Sequence, residues 1–298
     1  MYARYASEMR EVGVLADVIG CLVCPVCASD LVLEAAALRC AHGHVFDVAR
    51  QGYVNLLPGR ARAGTADTPE MVEARAAFLG ARHYDAILDA VAASSDVALG
   101  EGLAGCVADV GAGTGDYLAR VLERSPGRVG LALDLSKHAL RRATRAHPRI
   151  GAAVCDTWKP LPVRTGAAAL VLDVFAPRNA AEFARILGPG GALVVVTPGA
   201  DHLHELVDVL GLVTVDDRKD ERLAGSLGER FVLAGSVPVR FAMSLSRHDV
   251  EALVAMGPSA RHVAAPEMAA RIGALAEPVC VTAAVAVSVY HVAPQDGA

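Results

Sequence analysis

The segment Cys106–Asp116, reading Cys-Val-Ala-Asp-Val-Gly-Ala-Gly-Thr-Gly-Asp, does most to limit what this chain can fold into. A short apolar run enters a turn of alternate glycines and leaves as the amphipathic stretch Tyr117–Leu122, the order strand, loop, helix. The glycines at 111, 113 and 115 differ in spacing from the dinucleotide fingerprint, and the Gly-Lys-Ser/Thr of a P-loop is missing. A second strand, Val129–Asp134, follows, then a helix over Lys137–His147 and a third strand, Ala152–Cys155, ending at Asp156-Thr157. Ala168–Phe175 reads as a fourth strand, Glu182–Leu187 as a helix, and Ala192–Thr197 as a fifth strand behind Gly188-Pro-Gly-Gly191. This alternation predicts a parallel α/β sheet covered on both faces. Ligands of such sheets bind outside the carboxyl ends of the strands. Asp109, Gly111, Gly113, Thr114, Gly115, Asp134, Asp156 and His202 all fall there. Asp134, at the end of the second strand, is placed to take the ribose hydroxyls of a nucleoside. Asp156 has a competing role as a cap.

The second constraint is a cysteine cluster. Cys24-Pro-Val-Cys27 is followed after twelve residues by Cys40-Ala-His-Gly-His44. Two residues between thiolates let both sulfurs reach one ion, and Leu31–Leu33 with Ala37–Arg39 are short enough to be hairpin strands between two knuckles. The pattern predicts a structural zinc held by Cys24, Cys27, Cys40 and His44, four protein ligands leaving no open position for chemistry. The register has rivals: Cys21 also forms a Cys-X-X-Cys with Cys24, and His42 competes with His44. A redox pair would need a thioredoxin-like strand and helix, which the flanks do not supply. The other three cysteines, 106, 155 and 280, sit in apolar strand-like runs and read as core residues.

Composition narrows the function classes. At 298 residues with 20% charged residues the chain is an ordinary globular size, and its net charge of −5 does not favour polyanions as a whole. A nucleic-acid site must then be a local basic patch. Arg39, Arg50, Arg60, Arg62, Arg75 and Arg82 form one such run; Lys137, Arg141, Arg142, Arg145 and Arg149 form another, which reads better as a solvated helix face. No apolar run reaches membrane-span length, and acidic and basic residues interrupt the N-terminus where a signal peptide would need an apolar core, so a cytoplasmic protein with reduced thiols is expected.

The glycine loop, the acidic end of the second strand and the Pro-Gly-Gly before the fifth resemble the class I S-adenosylmethionine-dependent methyltransferases, a Rossmann-like fold. Residues 24–58, running from Cys-Pro-Val-Cys through His-Val-Phe-Asp-Val-Ala-Arg-Gln-Gly-Tyr-Val-Asn-Leu-Leu-Pro, are similar to the RlmA-type 23S rRNA guanine-N1 methyltransferases, which include actinomycete macrolide-resistance enzymes. Met71–Leu79, His83-Tyr84, Thr197-Pro198 and Ala255–Ala260 continue the likeness. The resemblance implies an extension over 1–20, a zinc-binding RNA-recognition module over 21–58, a linker and helix over 59–84, and a methyltransferase domain over 85–298. It implies S-adenosylmethionine along Gly113 and Thr114, with Tyr84, Thr157 and His202 as further contacts. It implies a 23S rRNA hairpin as substrate and leaves a homodimer open. Guanine N1 must lose a proton as the methyl arrives, and Asp173 at the end of the fourth strand is the candidate acceptor. Relatives carry other residue types at this position, Arg and Asn among them, which counts against a base that the family requires. Phe175 is the candidate to stack on the extruded base, Arg261 stands where relatives place tryptophan, and Arg50, Arg60 and Arg62 are candidate RNA contacts. Two rival functions stay open: methylation of a small molecule, and a non-catalytic RNA-binding protein that senses the cofactor.

Overall fold

The computed structural model describes residues 14–59, 66–100, 102–212, 227–257 and 265–294. A three-stranded antiparallel sheet comes first: β1 (Leu31–Glu34), β2 (Ala37–Cys40) and β3 (Val45–Asp47). The main sheet has eight strands in the order β10-β11-β9-β8-β5-β6-β7-β4. Its strands are β4 (Tyr53–Asn55), β5 (Cys106–Val110), β6 (Gly130–Asp134), β7 (Ile150–Val154), β8 (Ala168–Val174), β9 (Leu187–Pro198), β10 (Phe231–Leu245) and β11 (Val279–Val292). From β5 the chain adds β6 and β7 on one side, then crosses to add β8 and β9 on the other. The switch point therefore lies between β5 and β8, at the glycine loop.

The sheet is mixed where an all-parallel one was expected. β4 to β9 run parallel, but β11 pairs antiparallel with both β9 and β10. β5 and β7 are buried at every position, as strands covered on both faces must be. Cys106 and Cys155 belong to that core, whereas Cys280, expected to be buried, is exposed on β11.

The helices are α1 (Pro69–Gly80), α2 (Asp85–Leu99), α3 (Asp116–Arg124), α4 (Lys137–Ala146), α5 (Ala180–Ile186), α6 (His204–Leu210), α7 (Arg247–Ala255) and α8 (Ala265–Gly273). Local chemistry starts several of them. The Thr68 hydroxyl accepts from the Met71 N–H with Pro69 in the first turn, and Ser136 caps α4 through the Ala139 N–H. Ser246 and Asp249 form a reciprocal capping box on α7. No side chain caps α3, which opens directly from left-handed Gly115 and so leaves its first N–H groups at the glycine loop.

The N-terminal module is stitched to the main sheet. β4, which follows β3 in the chain, pairs parallel with β7. Leu22 bridges Val163, the Val23 N–H donates to the Pro162 carbonyl, and the Arg164 N–H donates to the Cys21 carbonyl. Arg164 also pairs with Asp30 at 2.8 Å. Within the expected 1–20 extension, residues 14–18 are helical, with Leu15 and Val18 fully buried. Val18 packs where a Cβ on Gly151 of β7 would stand. Gly151→Val should therefore destabilise the protein by about 1–3 kcal/mol, the cost of overpacking a filled core. Urea unfolding checks it; an unchanged midpoint would mean that the N-terminal helix does not dock on β7.

Candidate active site and metal centre

Four donor atoms converge in the N-terminal module: Cys24 Sγ, Cys27 Sγ, Cys40 Sγ and His44 Nδ1 all lie within 4.8 Å of one another. The pair Cys27 Sγ and Cys40 Sγ is 3.7 Å apart, and His44 Nδ1 lies 3.5, 3.5 and 3.2 Å from Cys24, Cys27 and Cys40. A tetrahedron with Zn–S bonds of about 2.3 Å and a Zn–N bond of about 2.0 Å has edges of about 3.8 Å between sulfurs and about 3.5 Å from sulfur to nitrogen. The donor set fits zinc in chemistry and in size. The rivals turn elsewhere. His42 pairs with the Ser29 hydroxyl at 3.0 Å. Cys21 faces β5, where a hydrogen bond with Cys106 lowers its thiol to about 7.

At the carboxyl edge of the main sheet, the Gly113 N–H donates to one Asp134 oxygen at 2.9 Å and the Ser136 N–H donates to the other at 2.7 Å. Each carboxylate oxygen keeps a second lone pair, which is what two ribose hydroxyls require. Burial raises the Asp134 pKa. Asp109 is buried behind it and is pushed up to about 8 by burial and by the Asp134 charge. Gly113 takes φ 53°, and a Cβ there would come 2.9 Å from Arg75 Nη1. Gly115 packs against α4, where a Cβ would strike Ala143. Thr114 is buried, with its hydroxyl donating to Asp116 at 2.5 Å.

Arg75 did not stand out in the sequence as a site residue. Its guanidinium meets Asp67 at 2.6 Å, donates to the Met256 carbonyl at 3.1 Å, and stands over the glycine loop. Tyr117 was missed as well: its phenol lies among Tyr84, Asp116, Arg75 and Asp109, and burial raises it well above its ordinary value. The Met256 carbonyl and Tyr84 are distant in sequence from Arg75 and Tyr117, so these contacts carried no local signal.

Tyr84, His202 and Phe175 meet across the edge. The Ala284 N–H donates to His202 Nδ1 at 3.2 Å, which leaves the proton of the neutral ring on Nε2, facing the Tyr84 hydroxyl at 3.4 Å. Phe175 stacks on His202 with centroids 6.1 Å apart and an interplanar angle of 23°. Phe175 adopts φ 53°, a conformation that a bulky residue holds only where its surroundings impose it, and its side chain remains 42% exposed. Two residues earlier Asp173 is 1% exposed; Arg178 Nε stands 3.7 Å away, and neither carboxylate oxygen reaches a donor at hydrogen-bond geometry among the described residues. Burial raises its pKa well above the ordinary carboxylate range, while the Arg178 charge opposes the rise.

Asp156 receives the Trp158 N–H at 3.0 Å, so it shapes its own turn, and Thr157 beside it is buried. Arg50 is exposed and makes no ion pair among the described residues. Arg60, Arg62 and Arg261 lie outside the described residues. In the second basic run, Arg142 is tied to Glu73, and Arg149 donates to the carbonyls of Leu122, Ser125 and Arg128. These two arginines hold structure.

Residues 22–63 match the zinc-ribbon family described as RlmA, N-terminal. Over 291 residues the chain is 52% identical to a Micromonospora griseorubida protein assigned as a 23S rRNA (guanine-N1)-methyltransferase, covering 92% of this chain and 98% of the relative. It is 51% identical over 259 residues to the 23S rRNA (guanine(748)-N1)-methyltransferase of Streptomyces fradiae, covering 87% and 92%. A Bacillus subtilis protein assigned as a 23S rRNA (guanine-N1)-methyltransferase is 31% identical over 80% of this chain and 86% of its own length. Among the described residues no helix is long and apolar enough to cross a membrane.

The metal centre yields a direct test. Purified protein should carry about one zinc; Cys27→Ser should lose it, and Cys21→Ser should keep it. Elemental analysis of both variants checks this. Metal lost from Cys21→Ser and kept in Cys27→Ser would reverse the ligand set.

Proposed function

Because the chain belongs to the 23S rRNA (guanine-N1)-methyltransferase family, we propose that it methylates N1 of a guanine in a 23S rRNA hairpin loop, the counterpart of position 748 in the Streptomyces relative's name. Methylation there protects the ribosome from macrolides, and the enzyme works in the cytoplasm, where its substrate is made. The observation that carries this reading is the meeting, at the switch point, of a nucleoside-type site at Asp134 with a buried, donor-poor carboxylate at Asp173 and the aromatic wall of Tyr84, His202 and Phe175.

S-adenosylmethionine, when bound, supplies an electrophilic methyl group carried on a sulfonium. The remaining work belongs to the chain. Asp134 takes the ribose hydroxyls with its spare lone pairs, and Asp156 and Thr157 flank the adenine. The open N–H groups at the start of α3 and the Arg75 guanidinium, both beside the glycine loop, receive the methionyl carboxylate. Tyr84 and His202, fixed to each other and to β11, close the side of the pocket. Phe175 takes the extruded guanine on its exposed face.

Asp173 accepts the N1 proton, which frees the N1 electron pair for the methyl group that the cofactor would supply. Burial holds Asp173 well above the ordinary carboxylate range even with the Arg178 charge opposing the rise, so it is the ionised fraction that accepts the proton. Cys24, Cys27, Cys40 and His44 would hold a zinc that keeps β1–β3 in shape beside β4. Arg50 on that module is free to meet RNA phosphate. A small-molecule substrate would give neither the zinc module nor Arg50 a role.

The test is methyl transfer from labelled cofactor to naked 23S rRNA fragments, followed by nucleoside analysis. Labelled 1-methylguanosine is the expected product. Asp173 must be ionised to accept a proton, so wild-type activity should fall as pH drops through its raised pKa. Asp173→Asn should lose about 10²- to 10⁴-fold in kcat and that acid limb, with cofactor affinity unchanged. Full activity in Asp173→Asn would pass the proton to solvent; absence of 1-methylguanosine from wild type would overturn the function.

A further inference from the structure

We propose that Trp158 is a second base-stacking platform, holding an unpaired base of the RNA substrate between the zinc module and the catalytic pocket. The inference rests on the rRNA methyltransferase reading and adds to it a contact outside the cofactor site. Trp158 is the sole tryptophan of the chain, and its side chain is 64% exposed. A large aromatic so exposed is a poor core residue, and on a flexible loop it would lose entropy with every contact. This loop is fixed. The Trp158 N–H donates to Asp156 Oδ1 at 3.0 Å, and the Lys159 N–H donates to the Asp156 carbonyl at 3.1 Å. Asn179 Nδ2 donates to the carbonyls of Thr157 and Lys159, both at 3.1 Å, gripping the backbone on each side of the ring.

The location gives the platform its occupant. Trp158 follows Asp156 at the carboxyl end of β7, next to the edge strand β4. Beyond it, Pro162, Val163 and Arg164 form the seam with Leu22, Val23, Cys21 and Asp30 of the N-terminal module. Asn179, the residue that grips the loop, follows β8 shortly after Phe175 and Arg178. One short loop thus joins the zinc module, the cofactor edge and the strand that carries Asp173. Trp158 makes no ring contact with the Tyr84–His202–Phe175 cluster among the described residues, so it is a separate surface. Lys159, exposed beside it, supplies a cation for the adjoining phosphate. An exposed aromatic face next to a cation is the chemistry of sequence-tolerant stacking on splayed RNA bases. A hairpin whose target base enters at Phe175 would leave a neighbouring loop base to rest on Trp158.

Because Trp158 is the sole tryptophan, emission excited beyond the tyrosine absorption reports on this position alone. The experiment titrates the full, zinc-loaded protein with a 23S rRNA stem–loop containing guanine 748, in parallel with S-adenosylhomocysteine, and measures RNA affinity of Trp158→Ala and Trp158→Phe by filter binding. RNA should quench the emission and S-adenosylhomocysteine should not. Trp158→Ala should weaken RNA binding by about 5- to 140-fold, the cost of one lost base–aromatic stack. Trp158→Phe should restore most of it, and cofactor affinity should be unchanged in both. RNA binding without quenching, with Trp158→Ala at wild-type affinity, overturns the platform and leaves the methyltransferase reading intact. Quenching by S-adenosylhomocysteine with weakened cofactor binding in Trp158→Ala also overturns it, and assigns the ring to the adenine. Wild-type protein that neither binds nor methylates the stem–loop overturns the function and the platform together.

Discussion

At the working end of the sheet the Gly113 N–H donates to Asp134 at 2.9 Å, beside the Gly111 and Ala112 N–H groups that donate to the Leu133 carbonyl. The glycine loop leaves β5 and the carboxylate ends β6, so this bond sets the loop against the neighbouring strand. It also explains how a half-buried acid is accommodated there. Its oxygens are satisfied by two backbone N–H groups, and burial raises its pKa without leaving the group unpaired. Asp109 pays for the same enclosure, being held up to about 8 beside the Asp134 charge. The close approach of the backbone at Gly113, of Arg75 above it and of α4 beside Gly115 depends on the absence of side chains at those glycines.

Around that bond the site is assembled from elements far apart in the chain. Tyr84 precedes α2, Phe175 follows β8 and His202 follows β9, yet the three rings form one wall, with His202 oriented by a backbone N–H of β11. Asp173 lies at the end of the same strand that delivers Phe175. The antiparallel strand β11 thus serves the site as well as the sheet, since it supplies the group that fixes the His202 tautomer. On the far side, β4 and the Pro162–Arg164 seam bind the zinc module to the edge of the sheet, so metal and cofactor sites share one framework.

What could be read in the sequence was what short-range physics determines. β5 to β9 showed as apolar runs broken by glycine, proline and caps, and the knuckle spacing showed the donors that converge in the structure. Strand β4 carried no such signal, because three residues are too short for a period. The direction of β11 is a property of topology, and its Val-rich sequence would suit either orientation. The choice between Cys21 and its neighbours is settled by the convergence of the other four donors, while the Cys21 thiol turns to the Ala167 carbonyl, a partner that spacing within the cluster cannot reveal. Arg75 showed only as a member of a basic run, and Tyr117 and Asn179 did not show, because Met256, Tyr84 and Thr157 lie elsewhere in the chain. Arg142 and Arg149 looked like their basic neighbours until Glu73 and three carbonyls were seen to occupy them.

Asp134 holds the glycine loop and, in the proposed function, receives the cofactor ribose. Calorimetric titration of wild type and Asp134→Ala with S-adenosylmethionine measures this in one comparison. Loss of a charge-assisted hydrogen bond should weaken binding by about 1.5–3 kcal/mol while the variant stays folded. Equal affinity in the two proteins would contradict the placement of the cofactor at this edge of the sheet.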